Sequence, residues 1–100
     1  MIIRVFRATV HDGKQDEFRT FFLETAVPLL SSQRGMLGLT VGWPMADSPT
    51  EFMMTTAWSD LESLKAFVGE DWAQAVIHPD EEHLLRETFV HHYEAAQFAV

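Results

Sequence analysis

Three of the five histidines in this 100-residue chain stand where they could move a proton. Imidazole suits proton transfer because its unperturbed pKa of ~6.5 lies near working pH. His91, His92 and Tyr93 are consecutive. Side chains alternate along a strand, so His91 and Tyr93 would share one face and His92 would take the other. Each could be a pocket base with Tyr93 nearby, or a hydrogen-bonded residue of a sheet or subunit interface. His78 stands before Pro79 and near Trp72, at a break in the helical pattern. It could be aimed into a cleft or cap a helix at the surface.

Groups able to hold an anion are also few. Arg4 and Arg7 interrupt an otherwise apolar stretch with opposite parity, so they form no single patch. Arg7 is the better candidate for an oxyanion contact; the plain alternative for either is an ion pair with an acid such as Glu94, or a snorkelling strand end. Trp43, Trp58 and Trp72 could line a pocket for a planar ligand or simply fill core, and core is expected for Trp58. Metal-ligand spacing is absent: His78 and His83 are five apart, and adjacent His91 and His92 diverge. Nor is there a glycine-rich phosphate loop or a Gly-x-Ser-x-Gly elbow.

The elements that must position these groups are legible from periodicity. Residues 2–10 are rich in β-branched and aromatic types and read as a strand. Asp12 is expected to cap a helix over 14–32, whose apolar stripe is Phe18, Phe21, Phe22, Ala26 and Leu29. Pro28 lies inside that stripe and clashes with the carbonyl of Glu24, which predicts a kink or a two-piece helix near 24–28. Residues 36–43 alternate as a half-buried strand, and 51–58 return from a loop as its hairpin partner. Ser59-Asp60-Leu61-Glu62 is a capping-box pattern opening a second helical region. After Gly69 a short helical piece is expected around Trp72, Ala75 and Val76, then another opening at Pro79 with Asp80, Glu81 and Glu82 in its first turn. A final strand is expected over 88–98.

The order is β-α-β-β-α-β, which predicts a ferredoxin-like α+β fold, an antiparallel four-stranded sheet roofed by helices on one face. The first strand is apolar on both parities, with Ile3 and Val5 on one and Ile2, Phe6, Ala8 and Val10 on the other. Two helical regions cover only one face. A two-fold homodimer, sheet against sheet, is the economical cover for the other.

Four stretches carry a family resemblance: the first strand running into His11-Asp12-Gly13-Lys14; Gln33-Arg34-Gly35-Met36-Leu37-Gly38; Trp58-Ser59-Asp60-Leu61-Glu62-Ser63-Leu64-Lys65-Ala66-Phe67; and Tyr93-Glu94. With them the chain, from Ile2 to about Glu94, resembles the antibiotic-biosynthesis-monooxygenase family of dimeric α/β barrels. The resemblance implies a single such domain over 1–100, a dimer, and a pocket in each protomer between sheet and helices. It also implies oxygenation of phenolic, quinol-type or polyketide-derived aromatic substrates with molecular oxygen and no metal, flavin or haem. In that chemistry the substrate supplies the electrons, a base removes its proton, donors hold the oxyanion, and water is kept out. His78, His92 and His91 are then the candidate bases. Tyr93, Arg7, Trp72, Phe67 and Phe6 are the candidate pocket contacts. The family's haem-degrading branch uses an Asn on the first strand, a Trp on the second helical region and a haem-ligating His after it. Here Phe6 and Phe67 occupy the first two positions, and His78 falls about one residue from the third. A non-catalytic small-molecule-binding dimer and an isomerase using the same histidines are the alternative readings.

Composition narrows the field without choosing an activity. Leu, Ile, Val and Phe supply 28 residues, enough to build a core in one domain. Cysteine is absent, which excludes disulfides, thiolate nucleophiles and Cys-ligated metals. Net charge is −8, divided as +1 over residues 1–34 and −9 over 35–100. Such a surface repels phosphate backbones and anionic lipid, so neither nucleic acid nor membrane is an expected partner. No apolar run approaches the ~20 residues of a membrane span, and no signal peptide is visible. A cytoplasmic protein is expected.

Overall fold

The computed structural model describes residues 1–99; the last residue of the expected domain, Val100, lies outside the described residues. Four strands, β1 (Ile2–Val10), β2 (Met36–Gly42), β3 (Glu51–Trp58) and β4 (Leu85–Glu94), form one antiparallel sheet in the order β2-β3-β1-β4. With the helical segments between them, this is the ferredoxin-like α+β arrangement. Central β1 pairs Arg4 with Thr56 on one side and His92 on the other. That register fixes which residues share a face.

The even residues of β1 are the covered ones: Arg4, Phe6, Ala8 and Val10 are all buried. Their neighbours on that face are Phe52, Met54, Thr56 and Trp58 of β3 and Val90 and His92 of β4. The roof begins with α1 (Gln15–Phe21), passes through a π-helical turn (Phe22–Ala26), and ends with α2 (Val27–Ser31). This is the two-piece helix expected from Pro28. Proline lacks an N–H and crowds the carbonyl four residues back, and the widened turn just before it relieves both; the Val27 N–H accordingly reaches back five residues to the Phe22 carbonyl. Phe18 and Phe22 drive the roof onto the sheet, Phe18 meeting Phe52 edge-on at 4.9 Å between ring centroids.

The helix starts at Gln15 with no side-chain cap from Asp12, whose carboxylate instead accepts from the Gln15 side chain at 3.4 Å. The second helix, α3 (Leu61–Val68), is capped by Asp60, which accepts the Ser63 N–H at 2.8 Å. Gly35 has φ +82°, and any Cβ there would run into Ser63 at the start of α3. A glycine is therefore required where the α2–β2 connection passes under α3.

Beyond Gly69 the structure departs from the expected elements. The pieces predicted around Trp72 and at Pro79 are not helices. Residues 70–81 run as turns and irregular chain, followed only by a 3-10 turn at Glu82–Leu84. Tertiary bonds from Arg4 to the carbonyls of Trp72 and Gln74 hold this segment in place of a helical ladder. β4 then starts at Leu85 rather than Thr88, with Arg86 accommodated by a register shift opposite Thr9 and Val10. It ends at Glu94 rather than residue 98.

Candidate active site

A cavity of about 250 Å³ lies between the roof and the covered face of the sheet. Its floor is Arg4, Phe6, Met54, Thr56 and Trp58. The helical wall comes from the π-turn and α2, including Phe22, Thr25, Ala26 and Leu30. The π-turn matters here because it directs Phe22, Thr25 and Ala26 to the same hollow. Phe67 and Val68 of α3 close one end, and Val76 to Pro79 with Glu81 close the other. The lining is mostly hydrocarbon with a few placed polar groups, the usual composition of a small-molecule site.

Arg4 is 8% exposed. Its Nη1 donates to the Trp72 carbonyl at 2.6 Å, and Nη2 to the Gln74 carbonyl at 3.0 Å. The His92 Nε2 lies 2.9 Å from Nη1 and must be the acceptor, since guanidinium only donates. Burial, then the charges of Arg4 and His91, hold the His92 pKa below the ordinary histidine value. His92 is thus a neutral ring spent on orienting Arg4, with Trp72 edge-on against it at 4.8 Å. The Trp58 indole N–H is satisfied by Thr56 Oγ1 at 2.9 Å, and its ring stacks on Phe67 at 5.8 Å.

His78, Pro79, Asp80 and Glu81 form a tight turn closed by the Glu81 N–H on the His78 carbonyl at 3.0 Å. The Asp80 N–H donates to His78 Nδ1 at 3.1 Å. That bond leaves the lone pair on Nδ1 and the proton of the neutral ring on Nε2. Glu81 is 5% exposed. One carboxyl oxygen accepts the His78 N–H at 3.2 Å, and among the described residues no cation lies within ion-pair distance. Burial pushes its pKa up to about 7, against the opposing pull of the His78 hydrogen bond.

The residues singled out from sequence divide into three sets. His78, Phe6 and Phe67 line the cavity. His92 and Trp72 stand behind Arg4 and touch it rather than the hollow. Arg7, His91 and Tyr93 belong to the opposite face of the sheet: Arg7 is exposed with its guanidinium 5.4 Å from the Phe89 ring centre, His91 pairs with Val5, and Tyr93, 57% exposed, pairs with Ile3. Arg4 had a usable signal, since it shares parity with Phe6, Ala8 and Val10, the most apolar set on the strand. Glu81 had none. It is the middle acid of Asp80-Glu81-Glu82, and its neighbours are exposed.

The same architecture recurs in solved structures. No curated protein matches the chain. A Deinococcus radiodurans protein assigned as an antibiotic biosynthesis monooxygenase is 15% identical, with 100% of this chain and 97% of that one aligned at a TM-score of 0.76. SnoaB, a cofactor-independent oxygenase from Streptomyces nogalater, is 22% identical over 97% of this chain and 94% of its own, with a TM-score of 0.72. MhuD of Mycobacterium tuberculosis, a heme-degrader solved with two hemes in its active site, is 15% identical over the whole of both chains, with a TM-score of 0.74. At these identities the likeness speaks for the fold alone. The sequence itself carries the family assignment: residues 1–79 match antibiotic biosynthesis monooxygenase, and this chain belongs to that family.

Proposed function

We propose that the protein is a cytoplasmic, homodimeric, cofactor-independent monooxygenase acting on a phenolic, quinol-type or polyketide-derived aromatic substrate. The observation that carries this reading is the roofed apolar cavity, whose one fixed cation among the described residues is Arg4 and whose ring donor is His78. A planar ring would sit among Phe6, Phe22, Phe67 and Trp58. Removing its O–H proton leaves an electron-rich anion, and the Arg4 charge together with His78 Nε2–H favours that anion. The anion reduces oxygen, a carbon–oxygen bond forms at a ring carbon bearing hydrogen, and the peroxide loses water. One oxygen atom stays as a carbonyl and the other departs as water, so no external reductant is consumed.

Haem does not suit these residues. Arg4, the one fixed cation lining the cavity among the described residues, already has three of its five N–H donors on Trp72, Gln74 and His92, and a buried acid faces the same space. Two propionates would meet Glu81 and have a single, largely engaged guanidinium to share. The dimer reading is supported by the uncovered face of the sheet, which carries Ile3 paired with Tyr93, and Val5 and Phe89 on the same side.

Oxygen uptake with a panel of hydroquinones and hydroxylated naphthalenes, in chelator-treated buffer, tests the reaction. The expected result is uptake with one equivalent of oxygen per quinone formed, reduced at least tenfold in H78A. Binding without turnover would make the protein a small-molecule-binding module; substrate conversion under nitrogen would make it an isomerase. A stable monomer at micromolar concentration by sedimentation would remove the dimer.

A further inference from the structure

The reaction needs a base, and the cavity offers two candidates three residues apart, His78 and Glu81. His78 is poorly arranged for it. Its Nδ1 receives the Asp80 N–H at 3.1 Å, with the exposed Asp80 carboxylate farther away at 3.7 Å, so a proton arriving there would meet another donor first. Its Nε2 already bears the proton of the neutral ring, which makes it a donor toward a ligand. Glu81 is arranged the opposite way. Its carboxyl lines the cavity, is shielded from solvent, and has one oxygen engaged by the His78 N–H and one without a hydrogen-bond partner among the described residues. The backbone around it is clamped on both sides, by the Glu81 N–H on His78 and the Leu84 N–H on Glu81 at 2.9 Å. The turn fixes where the side chain leaves the backbone, and the His78 N–H holds one carboxyl oxygen in the hollow.

We propose that Glu81 is the catalytic base of this site, taking the O–H proton of a neutral, singly acidic aromatic substrate while His78 donates to the oxygen left behind. This rests on the oxygenation reading above. The proton moves from substrate oxygen to the free carboxylate oxygen, and the electron pair stays on the substrate and delocalises into the ring. After oxygen has added, the same proton is returned to the peroxide, and the carboxylate is ready again. Electrons pass only from substrate to oxygen. The shielded position also brings the base closer to a phenol in proton affinity. A carboxyl raised from 4.5 to about 7 closes 2.5 units of that gap, about 300-fold in the proton-transfer equilibrium. Burial of the acid defines the substrate class as well. A ligand carrying a carboxylate or phosphate toward this end of the cavity would be repelled, so the substrate reaches Glu81 uncharged.

Two measurements test the assignment. The first needs no substrate: carbon-13 NMR of the labelled glutamate side chains, assigned with E81Q, should show Glu81 titrating near 7; an ordinary carboxylate value overturns the proposal. The second is the pH profile of kcat/KM for a phenol that the wild type oxygenates. Wild type should rise with an inflection near 7. E81Q keeps an acceptor for the His78 N–H but cannot take the proton; it should lose that inflection and fall about 10²–10⁴-fold at pH 7, recovering as pH approaches the substrate's own pKa. H78Q should lower the rate and keep the inflection. An inflection retained in E81Q, or lost in H78Q, overturns Glu81 as the base while leaving the oxygenation reading intact. Absence of oxygen uptake with every phenol in wild type refutes the oxygenation reading, and the role of Glu81 in it.

Discussion

Glu81 should make the protein less stable as pH rises, and replacing it with glutamine should abolish that loss. Its carboxyl is raised from 4.5 to about 7 on folding. Between those values the folded chain holds a proton that the unfolded chain has shed, so stability falls as pH climbs through the window. The gap of 2.5 units, at 1.36 kcal/mol each, is worth about 3 kcal/mol above pH 8 and almost nothing at pH 4. His92 works in the opposite direction: its depressed pKa makes the folded state shed a proton first, so stability rises with pH up to the ordinary histidine range. The comparison of wild type with E81Q cancels the His92 contribution and isolates the acid. Urea unfolding at pH 4.0 and pH 8.5 is the assay. The two proteins should agree within about 0.5 kcal/mol at pH 4.0, and E81Q should be more stable by about 3 kcal/mol at pH 8.5, a midpoint shift of about 1 M or more for a domain of this size. A difference that is the same at both pH values would show that the carboxyl is solvated, and would refute the reasoning from burial.

Two further outcomes follow from the geometry around the cavity. R4M removes the donors that hold the carbonyls of Trp72 and Gln74; it should cost about 3 kcal/mol and speed amide exchange across residues 72–77, and unchanged exchange there would show that something else holds the segment. G35A should destabilise by at least about 2 kcal/mol, because a positive φ and a collision with Ser63 act together, whereas G13A, with similar φ and open space, should cost about 1 kcal/mol; equal effects in thermal unfolding would show that the contact with Ser63 contributes nothing.

The parts of this molecule legible in the sequence are those fixed by local pattern. β1 and β3 declare themselves by β-branched and aromatic runs, the roof by its phenylalanine spacing, and the break in the roof by Pro28. Alternation correctly separates Arg4 from Arg7 and His92 from its neighbours. The more apolar parity, that of Phe6, Ala8 and Val10, points to Arg4, but both parities are apolar and only the landing of α1 decides which one the roof covers, so Arg7 looks the better candidate until the fold shows Arg4 inside. Residues 70–81 invite a helical reading because Trp72, Ala75 and Val76 have helical spacing. Their conformation is decided elsewhere, by a guanidinium 68 positions earlier in the chain. Glu81 is hidden for the same reason. An acid in an acidic run looks solvated until the turn that buries it is known.

Arg4 grips the far wall of the cavity through main-chain oxygens, not through the indole of Trp72 or the amide of Gln74. A peptide carbonyl is common to every amino acid, so the attachment is indifferent to which residues are written into that stretch. The panel facing the guest can be rewritten at Val76 or Ile77 while its fastening and the sheet beneath stay as they are. An architecture of this kind lets appetite for new molecules diversify without renegotiating the fold.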